Sequence, residues 1–201
     1  MEKIFGILEA EGVRKELLAR VLAFRESCPA ERSHKERIPH PDTFYYGKTV
    51  WEEAIAALLA GRNILLAGPK ATGKNILAEN LAALFGRPVW NVSFHINSDA
   101  ASLIGTDSYD GQKVVFREGP VVKSALSGGF AILDEINMAR NEALAVLHSA
   151  LDFRRVIDVP GFELIRVDPA ARFIGTMNYG YAGTRDLNEA LASRFAVILM
   201  P

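Results

Sequence analysis

Cysteine is nearly absent from this sequence: Cys28 is the single one among 201 residues. One cysteine cannot form an internal disulfide, which excludes a small disulfide-stapled secreted scaffold and suits a reducing compartment. No stretch approaches the roughly eighteen consecutive apolar residues of a membrane-spanning helix, and the chain opens Met1-Glu2-Lys3 without the apolar segment of a signal peptide. We therefore expect a cytoplasmic protein.

An excess of charge of either sign is also lacking. The 23 Lys and Arg residues are balanced by 24 Asp and Glu residues, which gives a formal net charge of -1 at pH 7. The basic residues do not gather into the stripe that nucleic-acid binders use, so a nucleic-acid partner is disfavoured. His95 and His148 belong to no cluster of histidines and cysteines, and we predict no zinc site.

Hydrophobic residues make up 49% of the chain, enough for one compact domain with a substantial core. Apolar residues recur at helical spacing from Lys3 to Ser27, and a polar stretch with three prolines follows up to Pro41. We interpret residues 1–41 as a helical extension and linker, and residues 42–201 as the core.

Short apolar runs alternate with helical patterns through the rest of the chain. The strand candidates are Asn63 to Ala67, Val89 to Phe94, Phe130 to Leu133, Phe173 to Thr176 and Ala196 to Met200. Such alternation predicts an α/β fold, a parallel sheet with helices on both faces. Before the first strand, Thr49 and Glu52 have the spacing of a capping box and Gly61 that of a C-terminal cap, which predicts a helix of about three turns.

Two turn signals interrupt this alternation. Asp110-Gly111 lies between Thr106 and Phe116, and Pro160-Gly161 lies between Arg155 and Val167. Because β-forming residues flank both turns, we predict two hairpins inserted outside the main sheet.

The segment from Gly68 to Asn75 matches the pattern G-x-x-x-x-G-K between a strand and a helix candidate. Its glycines let backbone amides curl around phosphate oxygens, the helix start adds its positive end, and Lys74 brings a charge to the β- and γ-phosphates. The predicted ATP-binding residues are Gly68, Pro69, Lys70, Ala71, Thr72, Gly73, Lys74, Asn75 and Ile76. The alternative is a glycine-rich turn that binds no ligand.

Asn75 departs from the usual pattern, in which Ser or Thr offers a hydroxyl to Mg²⁺. An amide oxygen can also coordinate a hard cation. Because the asparagine side chain is longer, we expect weaker or water-bridged metal binding, with a nearly inactive pocket as the alternative.

Two acids follow the third strand candidate, in the run Phe130 to Glu135. Ligands of α/β proteins bind at the carboxyl ends of the strands, so both carboxylates are expected at that edge. There Asp134 would hold Mg²⁺ and Glu135 would polarise the water that attacks the γ-phosphate. The alternative is a pair of solvated acids at a strand end.

Four motifs in this order resemble those of AAA+ ATPases, and most resemble the MoxR-like and dynein-related branch. They are Gly68 to Asn75, Leu133 to Asn137, Gly175 to Asn178 and Leu187 to Phe195. The resemblance covers about residues 42–201 and implies a P-loop NTPase αβα sandwich with a five-stranded parallel sheet. It also implies that the Asp110-Gly111 hairpin is an insertion in helix 2, and that the Pro160-Gly161 hairpin precedes sensor 1.

The resemblance further assigns roles to single residues. Asn178 would be sensor 1, although an asparagine that caps a turn is the alternative. Arg194 would be the arginine finger that reaches a neighbouring subunit, with Arg185 as a lesser candidate and a surface salt bridge as the alternative. The segment Tyr45 to Gly47 resembles the segment that borders adenine, although packing against the sheet edge explains it equally well.

By the same resemblance, the protein would hydrolyse ATP with Mg²⁺ in a homo-oligomeric ring, a hexamer, and remodel a protein partner in a chaperone or metal-insertion role. A protein with a von Willebrand A domain is an expected partner. The helical lid of the family would lie beyond Pro201, outside this chain. Two alternatives remain: a nucleotide-gated assembly module with little hydrolysis, and, less favoured, a small-molecule kinase.

Overall fold

The structure is a computed structural model that describes residues 2–109, 111–159, 161–179 and 186–201. Its helices are α1 Glu2–Ala10, α2 Lys15–Ser27, α3 Lys48–Leu59, α4 Lys74–Phe85, α5 Ala100–Ile104, α6 Pro120–Leu126, α7 Asn141–Leu144, α8 His148–Leu151 and α9 Glu189–Ala192. Its strands are β1 Asn63–Gly68, β2 Val89–Ser93, β3 Gly105–Tyr109, β4 Val114–Glu118, β5 Phe130–Asp134, β6 Val156–Ile157, β7 Ile165–Arg166, β8 Arg172–Asn178 and β9 Phe195–Leu199. Short 3-10 helices cover Arg32–Arg37, Ile136–Met138 and Ala145–Leu147.

The main sheet has five strands in the order β2-β5-β8-β1-β9, and all neighbouring pairs are parallel. Each strand predicted from an apolar run is present, and β1 is buried along its whole length because helices cover both faces. The predicted α/β fold with a five-stranded parallel sheet is therefore confirmed.

The topology brings the sequence motifs together. Strands β5, β8 and β1 are adjacent and end at Asp134, Asn178 and Gly68, with Gly68 in register with Asn178. Since the strands are parallel, their carboxyl ends meet at one edge of the sheet. The three motifs therefore lie side by side although they are far apart in the sequence.

Two hydrophobic clusters lie on opposite faces of the sheet. The first joins α1 and α2 to α3, α4 and the sheet, and it includes the fully buried Leu8, Val21 and Trp51. The second lies under α5 to α9 and includes Leu103 and Phe173. Because Leu8 and Val21 belong to the same cluster as Trp51, helices α1 and α2 pack directly against the face of the sheet that α3 and α4 cover.

Both predicted hairpins are antiparallel pairs outside the main sheet. Strands β3 and β4 pair between the short helices α5 and α6, and β6 pairs with β7 before β8. The turn residues Asp110 and Pro160 themselves lie outside the described residues. The flanking strands confirm the two insertions.

The predicted capping box at Thr49 is wrong. Helix α3 begins at Lys48 after Gly47, with no side-chain cap, and the Glu52 carboxylate instead accepts a hydrogen bond of 2.9 Å from the backbone N–H of Arg14. A partner 38 residues away thus replaces the local one. Gly61, with a φ of 79°, ends α3 as predicted.

The sequence from Asn141 to Leu151 has apolar residues at helical spacing and predicts one helix. In the structure the 3-10 turn Ala145–Leu147 interrupts this helix and separates α7 from α8. Within the ranges that the structure describes, no helix combines the length and apolar character needed to cross a membrane.

Candidate functional site

The loop between β1 and α4 is built by two left-handed residues. Ala71 has a φ of 63° and Gly73 a φ of 79°, so the chain reverses sharply before the first turn of α4. Gly73 is also restricted sterically, because a methyl group there would come within 3.1 Å of the Tyr45 ring. The turn thus leads directly into the N-terminus of α4, whose first N–H groups have no partner within the helix and can bind phosphate.

The first glycine of the loop is required by close packing. A methyl group on Gly68 would lie 2.8 Å from the Cβ of Met200, and the N–H of Met200 donates a 2.8 Å hydrogen bond to the carbonyl of Ala67. The residue after β9 therefore fixes where the loop leaves β1.

Lys74 folds back into the loop. Its ammonium group donates to the carbonyls of Gly68 at 3.0 Å and Pro69 at 2.5 Å and to the Thr72 hydroxyl at 3.2 Å. Burial lowers the pKa of Lys74, while the charges of Asp134 and Glu135 act in the opposite direction. The ammonium is thus held by acceptors of the loop itself, within electrostatic reach of Asp134 and Glu135.

Thr176 of β8 links the two acids. Its hydroxyl donates a 2.6 Å hydrogen bond to one carboxylate oxygen of Asp134 and accepts one of 3.0 Å from the N–H of Glu135. Glu135 has a φ of 54°, a left-handed conformation that costs a non-glycine residue energy and is common at functional sites. The Thr176 hydroxyl therefore helps to hold Glu135 in this conformation.

Asn178 contacts the side chain of Glu135. Its amide nitrogen donates a 2.9 Å hydrogen bond to Oε1 of Glu135, and its own carbonyl accepts one of 3.0 Å from the amide of Asn137. The residue predicted as sensor 1 and the residue predicted to polarise water are thus in direct contact.

These groups surround an open cleft of about 650 Å³. Its lining combines the phosphate loop with the carboxyl ends of β5 and β8, namely Lys70, Ala71, Thr72, Gly73, Lys74, Asn75, Ile76, Asp134, Glu135, Thr176 and Asn178. The volume is in the range of ligand sites. Gly68, the last residue of β1, and Pro69, the next residue, do not line the cleft, but their carbonyls accept hydrogen bonds from Lys74.

Asn75 and Asp134 line both this cleft and an adjoining cavity of about 210 Å³. A carboxylate beside an amide oxygen is a donor set that suits Mg²⁺. Because Thr176 occupies one oxygen of Asp134, the carboxylate is oriented before any ion binds. Within the described ranges no three His, Cys, Asp or Glu side chains form a metal-binding group, so a cation here would rely on this pair and on ligand oxygens.

Arg194 lies away from its own cleft, just before β9 begins. Its guanidinium donates to the carbonyls of His148, at 3.1 Å, and Ala190, and lies 3.6 Å from the carboxylate of Asp152. Strands β1 and β9 are parallel, with Asn63 at the start of β1 beside Phe195. Arg194 therefore lies at the amino ends of the strands and Lys74 beyond their carboxyl ends, roughly 15 Å or more away along the strand direction. The structure therefore does not bring Arg194 to the cleft of its own chain. Arg185 lies outside the described residues.

The segment Tyr45 to Gly47 borders the loop. The N–H of Tyr45 donates a 3.0 Å hydrogen bond to Asn80 of α4, while Tyr46 is largely exposed. The two histidines lie outside this site: His95 is in an exposed loop, and His148 is half-buried on α8.

The sequence patterns do not predict the contacts of Thr176 with Asp134 and Glu135. The motif Gly175 to Asn178 includes it, but a threonine in a strand is ordinarily read as a β-former. Its alternation with Asn178, two residues on and thus on the same face of β8, is the signal that could have identified it.

Comparisons with known proteins agree with this geometry. The family described as AAA domain (dynein-related subfamily) matches residues 63–195. The solved structure of a candidate ATPase from Cytophaga hutchinsonii covers 91% of this chain and 53% of its own, with a TM-score of 0.59 and 19% identity, which shows a shared fold.

Bacterial relatives are similar over the same region. The uncharacterized protein YojN of Bacillus subtilis is 40% identical over 154 residues, which are 74% of this chain and 51% of that protein. An uncharacterized protein of Staphylococcus aureus is 41% identical over 156 residues, 75% of this chain and 59% of its own length. This chain thus spans between about half and three fifths of the length of these relatives. The family match covers well over half of the chain, and with the five-stranded sheet and its phosphate loop it shows that the chain belongs to the dynein-related subfamily of AAA domains, a branch of the AAA+ ATPases.

Proposed function

We propose that this chain binds ATP with Mg²⁺ in the cleft between the phosphate loop and β5, and that it hydrolyses the ATP. Residues 42–201 form the nucleotide-binding core, and residues 1–41 form a helical extension packed against it. The observation that carries the proposal is the contact of 2.9 Å between Asn178 and Glu135, in the same cleft that Lys74 lines. A binding loop alone would not need a carboxylate held in this way.

The loop residues would hold the triphosphate. The backbone of residues 68–76 offers N–H groups at the positive end of α4, and Lys74 adds an ammonium group. In the structure this group contacts Gly68, Pro69 and Thr72, so phosphate oxygens would replace some of these acceptors. Since burial lowers the pKa of Lys74, a phosphate would restore a counter-charge to a poorly solvated cation.

Glu135 would accept a proton from the attacking water, and Asn178 would hold the carboxylate in position for it. Asp134 and Asn75 would bind Mg²⁺, which supplies neutralisation of the β- and γ-phosphate charge. Two acids beside an amide suit the activation of water, whereas a small-molecule kinase would need a bound hydroxyl substrate at this place.

An oligomeric ring, a hexamer by family resemblance, is part of the proposal. Arg194 is too far from its own cleft to contact a nucleotide there, but its position at the opposite sheet edge is compatible with reaching the cleft of a second copy. An arginine supplied in this way accelerates phosphoryl transfer by about 10³- to 10⁵-fold.

We further propose that the ring remodels a protein partner in the cytoplasm, in a chaperone or metal-insertion role. A protein with a von Willebrand A domain is the proposed partner. The family membership supports the ATPase, and the partner rests on the resemblance of the sequence to MoxR-like proteins.

A second candidate is a nucleotide-gated assembly module that hydrolyses ATP very slowly. Asn75 favours it, because an amide lines the cleft beside Asp134 where a hydroxyl normally completes the Mg²⁺ site.

The deciding experiment is Glu135→Gln. This change keeps the shape and the hydrogen-bond capacity of the side chain but removes its basicity. We expect ATP affinity within about threefold of the wild type and turnover lowered by about 10²- to 10⁴-fold. Lys74→Ala is the matched control that should abolish binding instead. Unchanged turnover in Glu135→Gln would reject Glu135 as the base.

A further inference from the structure

A second cavity of about 630 Å³ lies at the far end of α4 from the cleft. It is open to solvent on one side and is lined by the start of α1, the end of α2, residues between Pro29 and Phe44, and the end of α4. It shares no lining residue with the cleft. Ala83 at its wall lies nine residues after Lys74, or about 14 Å along the helix axis. A ligand here would therefore not compete directly with nucleotide.

The floor of this N-terminal cavity is apolar. Ile4, Pro29, Ile38, Pro39 and Phe44 contribute hydrophobic surface, and Ile4 is buried in the core. The size and the apolar lining with a few charged groups are those of small-molecule sites. An occupant would thus need an apolar body.

The charged groups of the cavity are mainly cationic. Lys3, Arg25 and Lys35 line it against the single acid Asp42, although the whole chain is nearly neutral. Lys3 also lies 5.0 Å from the centre of the Phe44 ring. A local excess of positive charge on a balanced chain favours an anionic occupant.

Arg25 is fixed in the wall by α4. Its Nη1 donates hydrogen bonds of 3.1 Å to the carbonyl of Ala83 and 2.8 Å to that of Leu84. The guanidinium lies against Gly86, where an added methyl group would come within 2.8 Å of its carbon. Among the described residues no carboxylate lies within ion-pair distance of Arg25. The pKa of Arg25 is lowered by burial. The carbonyls of α4 therefore hold the Arg25 guanidinium in place but do not neutralise its positive charge.

We infer that the N-terminal cavity binds a small organic anion with an apolar body, in which the anionic group meets Arg25 and Lys35 and the body packs on Ile38 and Phe44. Phe44 directly precedes Tyr45, whose N–H donates a hydrogen bond to Asn80 and whose ring lies where a side chain on Gly73 of the phosphate loop would project. The occupant thus lies one residue from a segment that borders the cleft.

The test uses a matched pair of fluorescent probes with the full chain. 8-Anilino-1-naphthalenesulfonate carries an anionic group on an apolar body, and N-phenyl-1-naphthylamine is the same body without charge. We expect saturable 1:1 binding of the sulfonate and about tenfold weaker binding of the neutral probe, since one charge-assisted contact is lost. Equal affinity of the two probes, or no saturable binding of the sulfonate, would overturn the inference.

Variants locate the probe. Ala83→Trp on α4 and Ala30→Trp after α2 each place a large side chain in the cavity from a different element. Each should abolish sulfonate binding, while ATP binding in the separate cleft shows that the protein is folded. Lys35→Gln should weaken sulfonate binding about threefold to tenfold. Lys15 is exposed and lies outside the cavity, so Lys15→Gln should leave sulfonate binding unchanged. Sulfonate binding that survives both tryptophan variants unchanged would place the probe elsewhere and refute the site.

Discussion

The side-chain amide of Asn178 donates a hydrogen bond of 2.9 Å to Oε1 of Glu135. The two residues lie on neighbouring strands and are 43 positions apart in the chain. Glu135 itself has a left-handed backbone, which Thr176 stabilises through the N–H of Glu135. The proposed base is therefore positioned by β8 and not by its own strand.

Removal of the Asn178 amide should lower turnover more than affinity. In Asn178→Ala the carboxylate of Glu135 loses its donor, so we expect kcat to fall about 10- to 100-fold with ATP affinity within about threefold. Steady-state hydrolysis and equilibrium binding of a fluorescent ATP analogue measure the two effects. Asn188→Ala removes an asparagine that caps α9 away from the cleft and is the control. A large loss of affinity at unchanged kcat would contradict this role.

The Thr176 hydroxyl should be required to hold both Asp134 and Glu135 in position. Thr176→Val keeps the side-chain shape but leaves the N–H of Glu135 without its acceptor and Asp134 without its donor. We expect a loss of about 1–3 kcal/mol in unfolding free energy and about a tenfold lower turnover. Denaturant unfolding and hydrolysis assays measure both. Thr176→Ser keeps the hydroxyl and should recover most of the unfolding free energy and most of the turnover. Equal losses in Thr176→Ser and Thr176→Val would show that the packing of the side chain matters and the hydroxyl does not.

Asn75→Thr should discriminate between the two candidate functions. The threonine hydroxyl restores the usual Mg²⁺ ligand. A gain of about tenfold or more in Mg²⁺-dependent hydrolysis would support the assembly module, in which Asn75 limits catalysis. Hydrolysis within about twofold of the wild type across a Mg²⁺ titration would support the active ATPase. Asn91→Thr, at the wall of the adjoining cavity, controls for the substitution itself.

Arg194 and Glu135 should complement each other across subunits. Arg194→Ala and Glu135→Gln should each be nearly inactive. If Arg194 acts on the cleft of a second copy, an equal mixture should regain part of the wild-type activity, because one interface in the mixed ring combines an intact cleft with an intact arginine. Hydrolysis by the mixture is the measurement. Activity no greater than the sum of the two separate variants would show that Arg194 serves only its own chain, for example through Asp152.

His148 should make the protein less stable below neutral pH. Burial, followed by the charge of Arg194, lowers the pKa of His148 from its ordinary value of 6.5. His148 in the unfolded chain therefore binds a proton more readily than His148 in the folded chain. Above about pH 6.5 both are neutral and the free energy of unfolding is not reduced. As the pH falls below this value toward the lowered pKa, the unfolded chain is protonated first and the free energy of unfolding decreases. In His148→Gln we expect the fall in Tm between about pH 7.5 and pH 5.5 to be smaller by about 2 °C. A slope in His148→Gln identical to that of the wild type would refute the effect.

Local patterns were sufficient for much of the fold. The strands are predictable because each contains a short apolar run, as in residues 64–67 of β1. The phosphate loop is predictable because Gly73 and Lys74 have a fixed spacing from Gly68 at a helix start. The helix break at Ala145–Leu147 was not predictable, because the sequence there keeps helical spacing and packing decides the local hydrogen bonding. The capping box at Thr49 failed because Glu52 bonds to Arg14 instead.

The sequence alone indicated where the phosphate loop lies and which two acids lie at the end of β5. Both signals are local, because the geometry of a turn and the end of a strand depend mainly on residues nearby in the sequence. Only the tertiary structure decided that Thr176 and Asn178 hold those acids, that Met200 fixes Gly68, and that the N-terminal helices join the core. These contacts depend on the order of parallel strands and on side-chain packing, and they connect residues whose separation along the chain gives no local signal.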